Sequence, residues 1–168
     1  MNDLHPSTES AAVQAPVVIE RTYRTGLEDL WALWTTKEGF ESWWGPEGFR
    51  VEVHALDARA GGELAYDMIA DAPEAIAAMK QMGQPVSHNT TGWFGEFQPH
   101  SRLTLVHLID FVPGSEPYEA LIEVDFHALG DQARMVTTVH PHRDPHWTKM
   151  SVMGFTSQIS KLDRRFGA

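Results

Sequence analysis

Between Phe49 and His140 apolar and polar residues alternate mostly with a period of two, whereas the segments before and after repeat at the helical period. Phe49, Val51 and Val53 alternate with Arg50, Glu52 and His54. After the pair Gly61-Gly62, Leu64, Tyr66 and Met68 alternate with Glu63, Ala65 and Asp67. Two alternating runs around a glycine turn predict a β-hairpin. Further strands are expected at Thr91–Phe97, Arg102–Asp110, Tyr118–His127 and Arg134–His140, and a first one at Val17–Arg24. In the Tyr118 run, Ala120, Ile122, Val124 and Phe126 face opposite to Glu119, Glu123 and Asp125. An antiparallel sheet covered on one face reads this way.

Leu27, Leu30, Trp31 and Trp34 recur at helical spacing, with Glu28 and Asp29 in the first turn, where they suit the positive end of the helix dipole. A short helix over 37–43 ends at Gly45-Pro46, and a helical insert over 73–84 is stopped by Gly83 and Pro85. The last element is a long helix over 144–166, with Phe155, Ile159, Leu162 and Phe166 on one stripe and Met150 and Met153 among its other apolar positions. Residues 1–15 are polar and aperiodic and read as a disordered tail, leaving a single domain over 16–168. The class is α+β: a curved antiparallel sheet closed on a C-terminal helix. Such a helix cannot fill the space beneath a strongly curved sheet, so an internal cavity is expected.

Composition narrows the ligand. The 13 Lys and Arg stand against 23 Asp and Glu, for a formal charge of −10. That field repels polyanions, so neither nucleic acid nor an acidic membrane surface is expected as a partner. Cysteine is absent, which removes disulfides, thiolate metal sites and a cysteine nucleophile. The chain begins without the basic flank and apolar run of a signal peptide, and no stretch approaches the ~20 apolar residues of a membrane helix. A cytoplasmic protein is the expectation.

The segment Leu30-Trp31-Ala32-Leu33-Trp34-Thr35-Thr36, followed by Trp43-Trp44-Gly45-Pro46, Gly48-Phe49 and Gly61-Gly62, resembles bacterial homologues of the activator of the heat-shock-protein-90 ATPase. Gly92-Trp93-Phe94-Gly95-Glu96, Pro99 and Arg102-Leu103 are similar to that family's mid-sheet signature, and Met153-Gly154-Phe155 with Leu162 to its closing helix. The resemblance covers about 16–166, with an insert over 73–84 longer than in the simplest members. It implies the START-like (SRPBCC) helix-grip fold of the birch-pollen allergen and an internal pocket. It does not imply one activity, since that superfamily spans lipid carriers, receptors, cyclases and chaperone regulators.

The candidate pocket lining comprises Trp43, Tyr66, Met68, Trp93, His107, Ile122, Phe126, Phe155 and Ile159. Trp43 or Trp44 can roof the pocket or lock the short helices onto the sheet. His107 falls on the inner face with Leu103, Leu105 and Ile109, where it either orients a ligand, acts as a general base, or is simply satisfied by backbone or water. His140, His142 and His146 are expected as exposed loop histidines rather than metal ligands, and no metal or cofactor is expected. No nucleophile elbow or phosphate loop is present. The leading expectation is a binder of a small, largely hydrophobic molecule. The alternatives are a cyclase- or hydratase-type enzyme on an aromatic or polyketide-like substrate with His107 as acid/base, and a chaperone ATPase co-regulator. An exposed edge strand could also pair across a two-fold axis into a homodimer.

Overall fold

The computed structural model describes residues 15–110, 112 and 114–167; most of the expected N-terminal tail lies outside them. Seven antiparallel strands run β1 (Val17–Tyr23), β2 (Phe49–Leu56), β3 (Glu63–Ala70), β4 (Ser87–Gln98), β5 (Arg102–Ile109), β6 (Tyr118–Leu129) and β7 (Gln132–Val139). They form one sheet in the order β1-β7-β6-β5-β4-β3-β2, so β1 and β2 are its edges. The helices are α1 (Leu27–Thr35), α2 (Lys37–Glu41), α3 (Pro73–Gln81) and α4 (Pro145–Phe166). This is the expected helix-grip arrangement.

Side-chain parity decides which face is covered. Leu103, Leu105, His107 and Ile109 of β5 are buried, and β6 sets Val124 and Ile122 opposite Leu103 and Leu105. Register shifts between Val53 and Ala55 in β2 and between Phe94 and Phe97 in β4 interrupt the ladders, and bulges of this kind bend a strand and increase its twist. At the β2–β3 hairpin a Cβ on Gly62 would lie 1.9 Å from the Asp57 carbonyl oxygen, so the turn requires glycine there.

The core concentrates under α1 and α2. Trp34 and Phe40 are fully buried, and Trp34 meets Trp43 and Trp44 edge-on, with ring centroids 5.1 and 5.4 Å apart. Thr36 caps α2 by accepting the Gly39 N–H at 3.0 Å. Helix α4 begins with the Asp144 carboxylate accepting the His146 N–H and ends with Gly167 in the left-handed conformation (φ 72°). Its C-terminal half is tied to β1, where Arg21 and Tyr23 both donate to the Asp163 carboxylate, at 3.1 and 2.8 Å. Phe155, Ile159 and Leu162 of the predicted stripe are buried and Phe166 packs against Tyr23, while Met150 and Met153 are exposed. Helix α3, the insert, has no buried residue and lies beside β3.

Candidate functional site

The N-terminal half of α4 does not touch the sheet everywhere, and a cavity of about 270 Å³ remains between them. The sheet contributes Tyr66 and Met68 from β3, His88 and Thr90 from β4, His107 and Ile109 from β5, and Ala120 to Ile122 from β6. Helix α4 contributes Trp147, Met150, Ser151, Gly154, Phe155 and Gln158, and the WWGP segment contributes Trp44 and Pro46. No Asp, Glu, Lys or Arg lines it.

A hydrogen-bonded chain of aromatic rings forms one wall. The Trp44 indole N–H donates to the Tyr66 hydroxyl at 2.9 Å, and that hydroxyl stands 3.1 Å from His107 Nε2. The Trp44 and His107 rings lie nearly parallel, 24° apart, with centroids separated by 6.2 Å. Burial, with a smaller contribution from nearby His142, pushes His107 down to about 4, so its imidazole is neutral at physiological pH. Burial also raises the Tyr66 phenol, which keeps its proton. The sheet makes this contact by leaving out a side chain. Tyr66 is diagonal to His107 across Gly92, which pairs with His107 directly, and a Cβ on Gly92 would lie 2.1 Å from the Val106 carbonyl oxygen.

Gln158 of α4 also borders the cavity. Its Oε1 accepts the Gly45 N–H at 2.7 Å, tying the helix to the WWGP turn, where Gly45 has φ 100°. At the rim, His142 Nδ1 meets the Tyr118 hydroxyl at 2.6 Å, and His140 Nε2 meets a Glu123 oxygen at 2.6 Å. Glu123 is shared with Arg102, which also holds Asp125 and Glu96. Among the described residues no group of three or more His, Cys, Asp or Glu is placed to hold a metal ion.

The cavity brings together Tyr66, Met68, His107, Ile122 and Phe155 of the expected lining. Four others fall elsewhere. Trp43 is directed into the core, donating its indole N–H to the Leu33 carbonyl at 2.9 Å, and its neighbour Trp44 takes the cavity wall. Trp93 lies on the outer face, because Gly92 and Phe94 on either side of it pair with inward-facing His107 and Leu105. Phe126 packs 5.2 Å from Trp31 under α1, at the far end of β6. Ile159 is fully buried in the main core beside Leu162. His140 and His142 are not free loop side chains: both are partnered and border the cavity. His146 is exposed. Helix α3 contributes nothing to the lining. Gln158 carried a sequence signal, a polar residue three positions after Phe155 on an otherwise apolar stripe.

A family model for Activator of Hsp90 ATPase homolog 1-like protein matches residues 24–167. The chain belongs to this family. No curated protein matches it. Solved structures with the same fold include a family member from Silicibacter pomeroyi, 20% identical with a TM-score of 0.66 over 90% of this chain and 96% of that one. A protein from Chromobacterium violaceum is 16% identical, with a TM-score of 0.65 over 92% of this chain and 99% of that one. One from Nitrosomonas europaea is 18% identical, with a TM-score of 0.66 over 92% and 94% of the two chains. At these identities the neighbours establish the fold, and the site must be argued from this chain's own residues. Among the described residues no helix is long and apolar enough to cross a membrane.

Proposed function

We propose that this family member binds a small, largely hydrophobic molecule in the cavity between the sheet and α4. The observation that carries the reading is the cavity itself: about 270 Å³, walled by Trp44, Met68, Ile122 and Phe155, with no ionic side chain in its lining. An apolar cavity of roughly 150 Å³ accommodates benzene, and drug-sized ligands occupy roughly 300 Å³ and more. The size therefore suits a molecule of about two fused rings. Removing such a ligand's surface from water contributes about 25 cal/mol per Å². His107 serves this role as a neutral hydrogen-bonding group. A group titrating at about 4 is poorly matched to general-base work near pH 7, so the enzyme reading gains no support from the geometry.

Native mass spectrometry of protein purified gently from its own host is the test. An excess mass that vanishes on denaturation, together with saturable quenching of tryptophan fluorescence by naphthalene, is expected. A bare chain that also ignores naphthalene would overturn the reading.

A further inference from the structure

Four histidines border the cavity: His88 from β4, His107 from β5, and His140 and His142 from the turn before α4. Among the described residues no carboxylate borders it with them. His140 is engaged elsewhere, since its Nε2 meets Glu123, which alternates with inward-facing Ile122 and Val124 onto the other face of the sheet. Three imidazoles remain, and His107 and His142 are close enough for the charge of one to act on the other.

Little around these imidazoles compensates a positive charge. His107 faces the Tyr66 hydroxyl and the Trp44 ring. His142 Nδ1 meets the Tyr118 hydroxyl at 2.6 Å, and its backbone N–H donates to the Thr148 hydroxyl of α4. Next in the chain, the Arg143 guanidinium lies 4.8 Å from the centre of the Tyr118 ring and adds positive charge at that rim, while the Asp144 carboxylate caps the first turn of α4. Asp67 acts on His88, but it alternates with Tyr66 and Met68 onto the outer face, where it holds His54 and Asn89. Burial is the largest influence on all three histidines, and it disfavours the charged form of each. An apolar ligand seated here removes the water that would solvate an imidazolium, so it binds the neutral wall better than the charged one.

We propose that ligand binding in this cavity is proton-linked: the hydrophobic molecule is held while His88, His107 and His142 are neutral and is released as they take up protons. The inference rests on the pocket reading above and adds its regulation. Linkage is reciprocal, so the ligand must also make these histidines harder to protonate. Affinity is full above about pH 6.5, where an ordinary histidine is neutral, and falls as the solution becomes more acidic. The half-buried His88 and His142 respond before His107, which burial holds down to about 4.

Two measurements on the full chain test the linkage. In the first, naphthalene affinity is read by tryptophan quenching at pH 7.5 and pH 5.0, with far-ultraviolet circular dichroism following the fold at both. The dissociation constant is expected to rise about tenfold in acid, the effect of a one-unit pKa shift at a single histidine. Replacing both His88→Gln and His142→Gln is expected to bring that rise to about twofold or less. In the second, the histidine ring ¹³C–¹H signals are titrated with and without naphthalene, and the midpoints of His88 and His142 are expected to move to lower pH when it is bound. Equal dissociation constants at the two pH values, midpoints unmoved by saturating naphthalene, or a full rise retained in the double variant would overturn the linkage. If naphthalene binds at neither pH, the pocket reading itself falls, and this inference falls with it.

Discussion

The hydroxyl of Tyr66 stands between two rings, accepting the Trp44 indole N–H at 2.9 Å and lying 3.1 Å from Nε2 of His107. One oxygen thereby joins the WWGP turn to the middle of the sheet. The rings themselves need not touch, because the shared hydroxyl fixes their separation.

Replacing Tyr66 by Phe keeps the ring and removes that oxygen. Trp44 and His107 would each be left with a buried polar atom lacking its partner, at a cost of about 1–3 kcal/mol per group. The urea midpoint at pH 7 is expected to fall by an amount corresponding to about 2–4 kcal/mol, with an unchanged slope. A loss below about 0.5 kcal/mol would mean that water replaces the hydroxyl.

The neutral histidine makes stability depend on pH. His107 is lowered to about 4 in the folded chain from an ordinary value of 6.5, so between those values the unfolded state binds more protons. Stability contributed by this group is present above about pH 6.5 and is lost as pH falls toward about 4, by on the order of 3 kcal/mol in total. Burial lowers His88 and His142 as well, adding slope of the same sign in that region. His107→Gln, which keeps a hydrogen-bonding group beside Tyr66 and removes the titration, is expected to flatten the profile of urea midpoint against pH between 6.5 and 4. An unchanged profile would assign the slope to other groups.

Gly154 lies inside α4, lines the cavity, and has nothing within 4 Å of where a Cβ would stand. Glycine in a helix interior costs about 0.5–1 kcal/mol relative to alanine. Gly154→Ala is therefore expected to raise the melting temperature by a few degrees. Gly154→Leu should also fold but project into the cavity, weakening naphthalene binding at least tenfold. Unchanged affinity in the leucine variant would place the bound probe outside the cavity.

Arg102 donates to Glu96, Glu123 and Asp125 at 3.0, 2.8 and 2.9 Å, and these bonds raise its own pKa and hold Glu123 below the usual carboxylate range. Arg102→Met leaves three carboxylates facing one another on the wet side of the sheet. The loss is expected at about 1–2 kcal/mol, since the group is partly exposed, and added salt should shrink it. Denaturation at 50 mM and 500 mM sodium chloride checks the sign; a loss that grows with salt would contradict it.

Much of this molecule is legible in the alternation of its residues. The face of a strand follows from parity alone, which sets His107 inward with Leu103, Leu105 and Ile109, and Ala120, Ile122, Val124 and Phe126 on the same covered side. The stripe from Phe155 to Phe166 likewise made α4 the closing element, and a long helix over a bent sheet made a cavity expected. Parity was equally available for Trp93. Phe94, its neighbour, faces in, so register turns Trp93 outward although an indole is a residue type that suits a pocket lining.

What tertiary structure alone decided lies where local periodicity carries no information. Trp43 and Trp44 are adjacent, just beyond the end of α2, and nothing local chooses between the Leu33 carbonyl and the Tyr66 hydroxyl as an indole's partner. Phe126 and Ile159 are on the correct face of their elements, but the cavity ends before it reaches them, and where it ends depends on how far α4 stands off the sheet. The contact between Gly45 and Gln158 joins residues 113 positions apart. Sequence determined which faces are apolar, because burial follows the period of the backbone. Only the packed chain determined which polar atoms meet, because hydrogen bonds require particular atoms within about 3 Å and no repeat along the chain encodes that.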